Sequence, residues 1–316
     1  MKKLKVNLRV SLKVNLKVNK IKYNLYYIMK EWISPIPKIV HLIWIGTNPY
    51  PDYFLLFIKT FKKYLPDFEI RIWGNRSLNK KIFPKTYDYI QKAKKVHGKN
   101  MFDKSDYQMF NIKDGSPLTY SKWAQITDLM RLEIVYNYGG YYFDTTFEIL
   151  KPLYNLLNIK DKTFVGCNEL PRFKDHDKLS NSFFGATKNN IILKRLLQKN
   201  RLDNIDFYEQ QVDLETGPGF LRSGIYKSDF KNIHIFPSTY FYPFIEPLSP
   251  IQKNPPYRKS GKNKCHSDKP KKGYTKLDGD KGYIKFPCTS YKDSYALKHW
   301  QLGKSWTNFL EYEIHE

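Results

Sequence analysis

The sequence predicts an α/β domain, and three stretches carry that reading. Lys38-Ile39-Val40-His41-Leu42-Ile43-Trp44-Ile45-Gly46 is a short, nearly continuous apolar run flanked by proline and glycine, the pattern of a buried parallel strand. A helix-spaced segment and a second short run, Glu69-Ile70-Arg71-Ile72-Trp73, follow it. That strand–helix–strand order implies a right-handed βαβ unit. Farther on, a helical pattern stops at Gly139-Gly140, runs into Tyr141-Tyr142-Phe143 and ends on Asp144. An acid at the end of a buried strand lies at the mouth of an α/β sheet, where nucleotides and metals bind.

Residues 4–19 repeat a four-residue unit, Leu4-Lys5-Val6-Asn7 and its variants. The strict alternation suits a one-faced strand, an edge or self-association segment, or a low-complexity extension outside the fold. We set residues 1–30 aside as a basic extension and place the folded domain over 31–316, opening near Ser34-Pro35-Ile36-Pro37. Over 52–64, Phe54, Leu55, Ile58 and Phe61 share one side of a helix that Pro66 ends. Residues 79–118 are polar and read as irregular with short helices. Thr119 or Ser121 can cap a helix to about Tyr138, with Trp123, Ile126, Met130 and Ile134 in its apolar stripe and Gly139 as its stop. Phe164-Val165-Gly166 and Phe183-Phe184-Gly185-Ala186 read as core strands, and 191–200 as a helix. The Pro-, Gly- and Lys-rich stretch 250–285 reads as a long mobile loop.

Composition narrows the class. The chain has 316 residues, 16% of them aromatic, enough for one large core. Cys167, Cys265 and Cys288 form no C-x-x-C pair, which argues against a disulfide framework or a structural zinc and fits a reducing compartment. No apolar run reaches the roughly 18 residues of a membrane helix. The basic N-terminus lacks the apolar stretch of a secretory signal. The expected location is the cytoplasm or a membrane periphery. The formal charge is +24, but residues 1–30 hold nine Lys/Arg and no acid, and 250–285 hold eleven Lys/Arg against three acids. The rest of the chain is only mildly basic, so nucleic acid is not the expected partner. A basic tail can still touch anionic lipid, RNA or acidic glycan.

Several residues carry candidate chemistry. Asp128 and Arg131 share a helix face, either as a surface ion pair or as a grip on sugar hydroxyls. Asp144 either caps a turn or holds a cation against a pyrophosphate. Glu148 is a second acid or surface. Trp44 is core or a platform for a base, with Gly46 letting the backbone approach. Glu215-Thr216-Gly217-Pro218-Gly219 is a loop whose threonine can line a cleft. His299 is structural or a ligand, and Ser305 and Trp306 either pack or pin the tail over a phosphate. No P-loop, G-x-S-x-G, H-E-x-x-H or G-x-G-x-x-G pattern is convincing.

Taken in order, these residues resemble the glycosyltransferases with a DXD sugar-binding motif. That group, family 32, contains the yeast initiating α-1,6-mannosyltransferase and many capsule and lipopolysaccharide enzymes. The chain is more distantly similar to the glucosyltransferase domain of large clostridial toxins. Ile36–Gly46 resembles the opening strand, Ala124–Arg131 the helix usually written A-x-x-S-D-x-x-R, and Gly139–Asp144 the G-G-x-Y-x-D before the metal. The likeness covers about 35–150 and returns at 181–186, 215–219 and 299–306. It implies a GT-A fold, a Rossmann-like mixed sheet flanked by helices, with a UDP- or GDP-sugar donor and Mn²⁺ or Mg²⁺. It further implies transfer of a hexose, with retained configuration, to a hydroxyl of a glycan or protein. By the same resemblance Trp44 and Gly46 serve the base, and Asp128 and Arg131 the donor sugar. Asp144 and His299 serve the metal, and Ser305 and Trp306 cover the diphosphate.

The departure lies at Asp144-Thr145-Thr146, where the family has D-x-D. A neutral hydroxyl at 146 weakens a hard-cation site. Three arrangements are open. Asp144 and His299 suffice with water, Lys or Arg neutralises the diphosphate, or the chain is an inactive relative. The expectation is a working enzyme with a weaker or water-mediated metal. The alternative is an inactive transferase fold acting as a basic RNA- or glycan-binding module.

Overall fold

The structure, a computed structural model, describes residues 31–45, 49–97, 109–110, 117–118, 122–168, 179–198, 216–242 and 294–298. The N-terminal repeat and the 250–285 stretch lie outside these residues. The described chain runs β1 (Ile39–Ile43), α1 (Asp52–Tyr64), β2 (Glu69–Trp73), α2 (Pro84–His97), β3 (Met109–Phe110), β4 (Pro117–Leu118) and α3 (Lys122–Tyr138). It continues with β5 (Gly140–Phe143), β6 (Phe147–Ile149), α4 (Tyr154–Leu157), β7 (Phe164–Asn168), β8 (Leu179–Ala186), α5 (Ile191–Leu197), α6 (Pro218–Arg222), β9 (Ile233–Phe236) and β10 (Ala296–Lys298).

Six strands form one mixed sheet in the order β2-β1-β5-β8-β7-β9. β1 pairs in parallel with both β2 and β5. The direction then reverses: β8 runs antiparallel to β5 and to β7, and β9 is parallel to β7. The α/β class and the helix-flanked mixed sheet are therefore as expected. Side chains alternate between faces, as the period of two requires. Val40, Leu42, Tyr141, Phe143 and Phe183 enter one core with Phe54, Phe57 and Phe61 of α1. Ile43, Tyr142 and Phe184 enter the other, against α3, α5 and α6.

On α1 Phe54, Phe57, Ile58 and Phe61 are buried along one stripe, with Tyr53 beside it, whereas Leu55 is 45% exposed. The stripe is thus set by i, i+3, i+4, i+7 spacing, and Leu55 was wrongly placed on it. α3 buries Ile126, Leu129, Met130, Leu132, Ile134 and Val135 together with Gln125, Asp128, Arg131 and Glu133, so it is buried nearly all round. The side chain of Trp123 lies outside the description.

The 79–118 expectation is corrected by α2, a helix of 14 residues. Its first turn is held by a distant acid. Glu133 of α3 accepts from the backbone N–H of Lys85 and Thr86 at 2.9 and 2.8 Å, and from Thr86 Oγ1 at 2.6 Å. These are the donors a local cap would otherwise serve. By contrast α5 carries its own cap, with Asn190 Oδ1 accepting from Ile192 N at 3.0 Å.

The turn into β5 requires glycine twice. Gly139 and Gly140 have φ of +68° and +100°. A Cβ on Gly140 would lie 2.6 Å from the Ile39 carbonyl oxygen. Beside it, buried His41 bridges the sheet. Trp73 Nε1 donates to His41 Nδ1 at 3.2 Å, so Nε2 carries the hydrogen and donates to the Gly139 carbonyl at 2.7 Å. Burial lowers the His41 pKa to about 4, which keeps the ring neutral.

Candidate functional site

Strand direction decides what meets at one edge of the sheet. Parallel pairing of Val40 with Tyr141 and His41 with Tyr142 brings Trp44 and Asp144 to the same edge. Antiparallel pairing of Phe143 with Phe183 brings the start of β8 there too, and Asp144 N donates to the Ser182 carbonyl at 2.8 Å. The edge lies where the sheet passes from parallel to antiparallel.

Here α3, which packs on the sheet, presents Asp128 and Arg131. Both are buried, with Arg131 Nη2 at 3.0 Å from Asp128 Oδ1. The alternative of a surface ion pair is thereby removed. Asp128 also accepts from Asn181 Nδ2 at 2.8 Å and from Thr216 Oγ1 at 3.1 Å. Arg131 donates from Nη1 to the Asn181 carbonyl at 2.8 Å, reaches Asp144 Oδ1 at 3.3 Å, and lies 4.6 Å from the centre of the Tyr142 ring. The guanidinium thus joins two carboxylates and one aromatic face.

Asp144 accepts from Tyr142 Oη at 2.7 Å, and the Lys298 ammonium pairs with its Oδ2. Burial alone would raise its pKa, but Lys298 and Arg131 reverse that and hold it below the usual carboxylate value. Asp128 goes the other way. Burial raises its pKa to about 6 despite Arg131 and Thr216. One acid is locked as the anion, and its neighbour titrates close to neutrality.

Position 146 is buried, and among the described residues the Thr146 Oγ1 has no hydrogen-bond partner. Glu148, expected as a second acid or surface, is fully buried on β6. Among the described residues no three His, Cys, Asp or Glu side chains gather as a metal-holding group. Among the described residues the donor set at Asp144 fits a divalent ion poorly, because two cations already share its carboxylate and the residue two positions on is neutral.

Trp44 is half-buried and stacks on Phe54 with centroids 5.7 Å apart and planes at 23°. It therefore belongs partly to the core while sitting on the candidate edge. Gly46, His299, Ser305 and Trp306 lie outside the described residues. The sequence reading missed Asn181 and Lys298. Asn181 had a signal, since a polar residue sits beside the apolar run of β8. Lys298 had none, being one of 54 Lys and Arg.

Residues 51–164 match the family described as the glycosyltransferase sugar-binding region containing DXD motif. That span includes Asp128, Arg131 and Asp144 and stops short of Asn181 and Lys298. Among solved structures the chain is similar to the PaToxG glycosyltransferase, at 19% identity, covering 61% of this chain and 70% of that one, with TM-score 0.41. It is also similar to the catalytic domain of alpha-toxin from Clostridium novyi, at 12% identity over 62% and 73% of the two chains, TM-score 0.34. A third is the galactosyltransferase LgtC in complex with donor and acceptor sugar analogs, at 12% identity over 64% and 74%, TM-score 0.33. These likenesses are distant and assign no residue a role. No curated protein matches the chain. Among the described residues no helix is long and apolar enough to cross a membrane.

Proposed function

We propose that the chain is a glycosyltransferase that moves a hexose from a UDP- or GDP-sugar to a hydroxyl of a glycan or protein. The observation that carries this is the Asp128–Arg131–Asp144 array at the sheet edge, buried at Asp128 and Arg131 and partly open at Asp144, inside the segment matching the sugar-binding family. Arg131 and Asp128 present donors and an acceptor for sugar hydroxyls. Trp44 offers an aromatic face to the base. The diphosphate lies against the cations around Asp144.

In the transfer, the bond from the anomeric carbon to the diphosphate oxygen breaks, and its electron pair leaves with the diphosphate. A bond forms from the acceptor oxygen to the same carbon, and the hydroxyl proton passes to the departing diphosphate. Negative charge grows on the leaving group, so fixed cations there lower the barrier. Positioning of the acceptor supplies the rest. Retention of configuration follows from delivery on the face the leaving group departs from.

The basic-module alternative draws on residues 1–30 and 250–285, and it gives the buried charged array no task. A thermal-shift screen with UDP-, GDP- and CMP-sugars separates the two readings. Binding of one donor class raises the melting temperature, by about 2.7 kcal/mol of stability at 100 times its Kd. No shift with any donor, together with salt-sensitive RNA binding, would sink the enzyme reading. Asp144→Ala is expected to abolish transfer and donor hydrolysis, by roughly 100-fold or more, while circular dichroism stays unchanged.

A further inference from the structure

We propose that Lys298 takes the place of the divalent cation in the donor-diphosphate seat, so that nucleoside diphosphate binds without metal. This rests on the glycosyltransferase reading above and goes further, by naming the residue that carries the charge.

β6 and β10 pair antiparallel, with Lys298 opposite Phe147. β6 begins three residues after Asp144, so the pairing returns a distant lysine to the end of β5. Its ammonium meets Asp144 Oδ2 and lies 5.4 Å from the centre of the Phe147 ring. The Lys298 side chain is 5% exposed, against 25% for Asp144. A carboxylate open to solvent is thus backed by a buried cation. A lysine buried to this degree is uncommon unless it is paired.

A divalent ion at Asp144 would have to enter beside that ammonium and the Arg131 guanidinium. Like charges held within contact distance near a protein surface repel strongly, and the ion carries two. Opposing this, a metal seat would offer two anionic ligands. Here the second position is Thr146, whose hydroxyl is neutral and buried. Charge therefore favours the ammonium over the ion. An ammonium has three donor hydrogens, so its bond to Asp144 is compatible with a further bond to phosphate oxygen. Asp144 then acts as the group that positions Lys298, and Arg131, whose N–H groups are directed at Thr127, Asn181, Asp128 and Asp144, adds positive charge behind the seat.

The test is a calorimetric titration of the full chain with UDP and with GDP, in EDTA and in Mn²⁺. For the nucleotide that binds, the two affinities should agree within about threefold. Lys298→Met should weaken binding in EDTA by about tenfold or more, and Lys298→Arg should restore most of it. Melting curves check that each variant is folded, and the wild-type comparison decides the matter even if Lys298→Met is not. Binding that requires Mn²⁺ overturns the inference and leaves the transferase reading standing. A folded Lys298→Met that binds as well as wild type also overturns it. No binding of either nucleotide in either condition overturns both.

Discussion

Two buried polar clusters sit at opposite ends of β5, and they are built on different rules. At its start, His41 links the Trp73 indole to the Gly139 carbonyl. Every group is neutral, and each donor has one acceptor. At its end, Asp128, Asp144, Arg131 and Lys298 bring two anions and two cations together, with Asp144 a quarter exposed. The first cluster is complete in itself and aligns three strands. The second balances its charge but opens one acid to solvent, near a Thr146 hydroxyl that has no partner among the described residues. The difference teaches that burial of polar groups does not mark a site. A site is marked by charge held in place and left open on one side.

The contrast can be broken from either end. The largest effect is expected at the charged end. Arg131→Met leaves Asp128 and Asp144 without their shared cation, at a cost of about 3–5 kcal/mol, read as the loss in urea-unfolding free energy. Donor binding should vanish in the same variant. A near-wild-type unfolding curve would mean that Arg131 does not join the two acids.

Next in size is the neutral end. The folded His41 pKa lies near 4, below its ordinary 6.5. The stability it contributes is therefore complete above pH 6.5 and is lost as pH falls towards 4, by roughly 3 kcal/mol over the window. His41→Gln should remove that acid dependence, and parallel pH–melting profiles for the two proteins would contradict the assignment.

The smallest effect sharpens the comparison. Asp128 has a raised pKa of about 6 against its ordinary 3.8. Its sign is opposite to that of His41: stability is gained as pH falls through 6, because protonation relieves the buried charge. Sugar recognition needs the anion, so donor affinity should fall about tenfold per pH unit below 6. Asp128→Asn should bind weakly at every pH. If the variant shows the same pH slope as wild type, another group is titrating.

Much of this was legible along the chain. β1, α1 and β2 are contiguous patterns, each with its own period and its own stop. Gly139-Gly140 announces a backbone that only glycine adopts cheaply. Asp128, Arg131 and Asp144 lie within one short helix–turn–strand segment, so spacing alone placed them near one another. The 14-residue α2 was not legible, because its first turn is capped by Glu133 from another helix. Leu55 falls off the stripe for a different reason, since it lies a full residue step, about 100°, round the helix from Phe54 and faces solvent.

Local order therefore determined the α/β class, the glycine turn and the acid that ends β5, since each depends on neighbours a few residues apart. Only the tertiary structure decided that Asp128 and Arg131 are buried rather than a surface pair. It also brought Asn181 and Thr216 to Asp128, and Lys298 to Asp144, across 53, 88 and 154 residues of chain. The reason is physical. A carboxylate's charge state and partners depend on burial and on what the sheet brings beside it, and strand pairing sets both without leaving a mark at fixed spacing in the sequence.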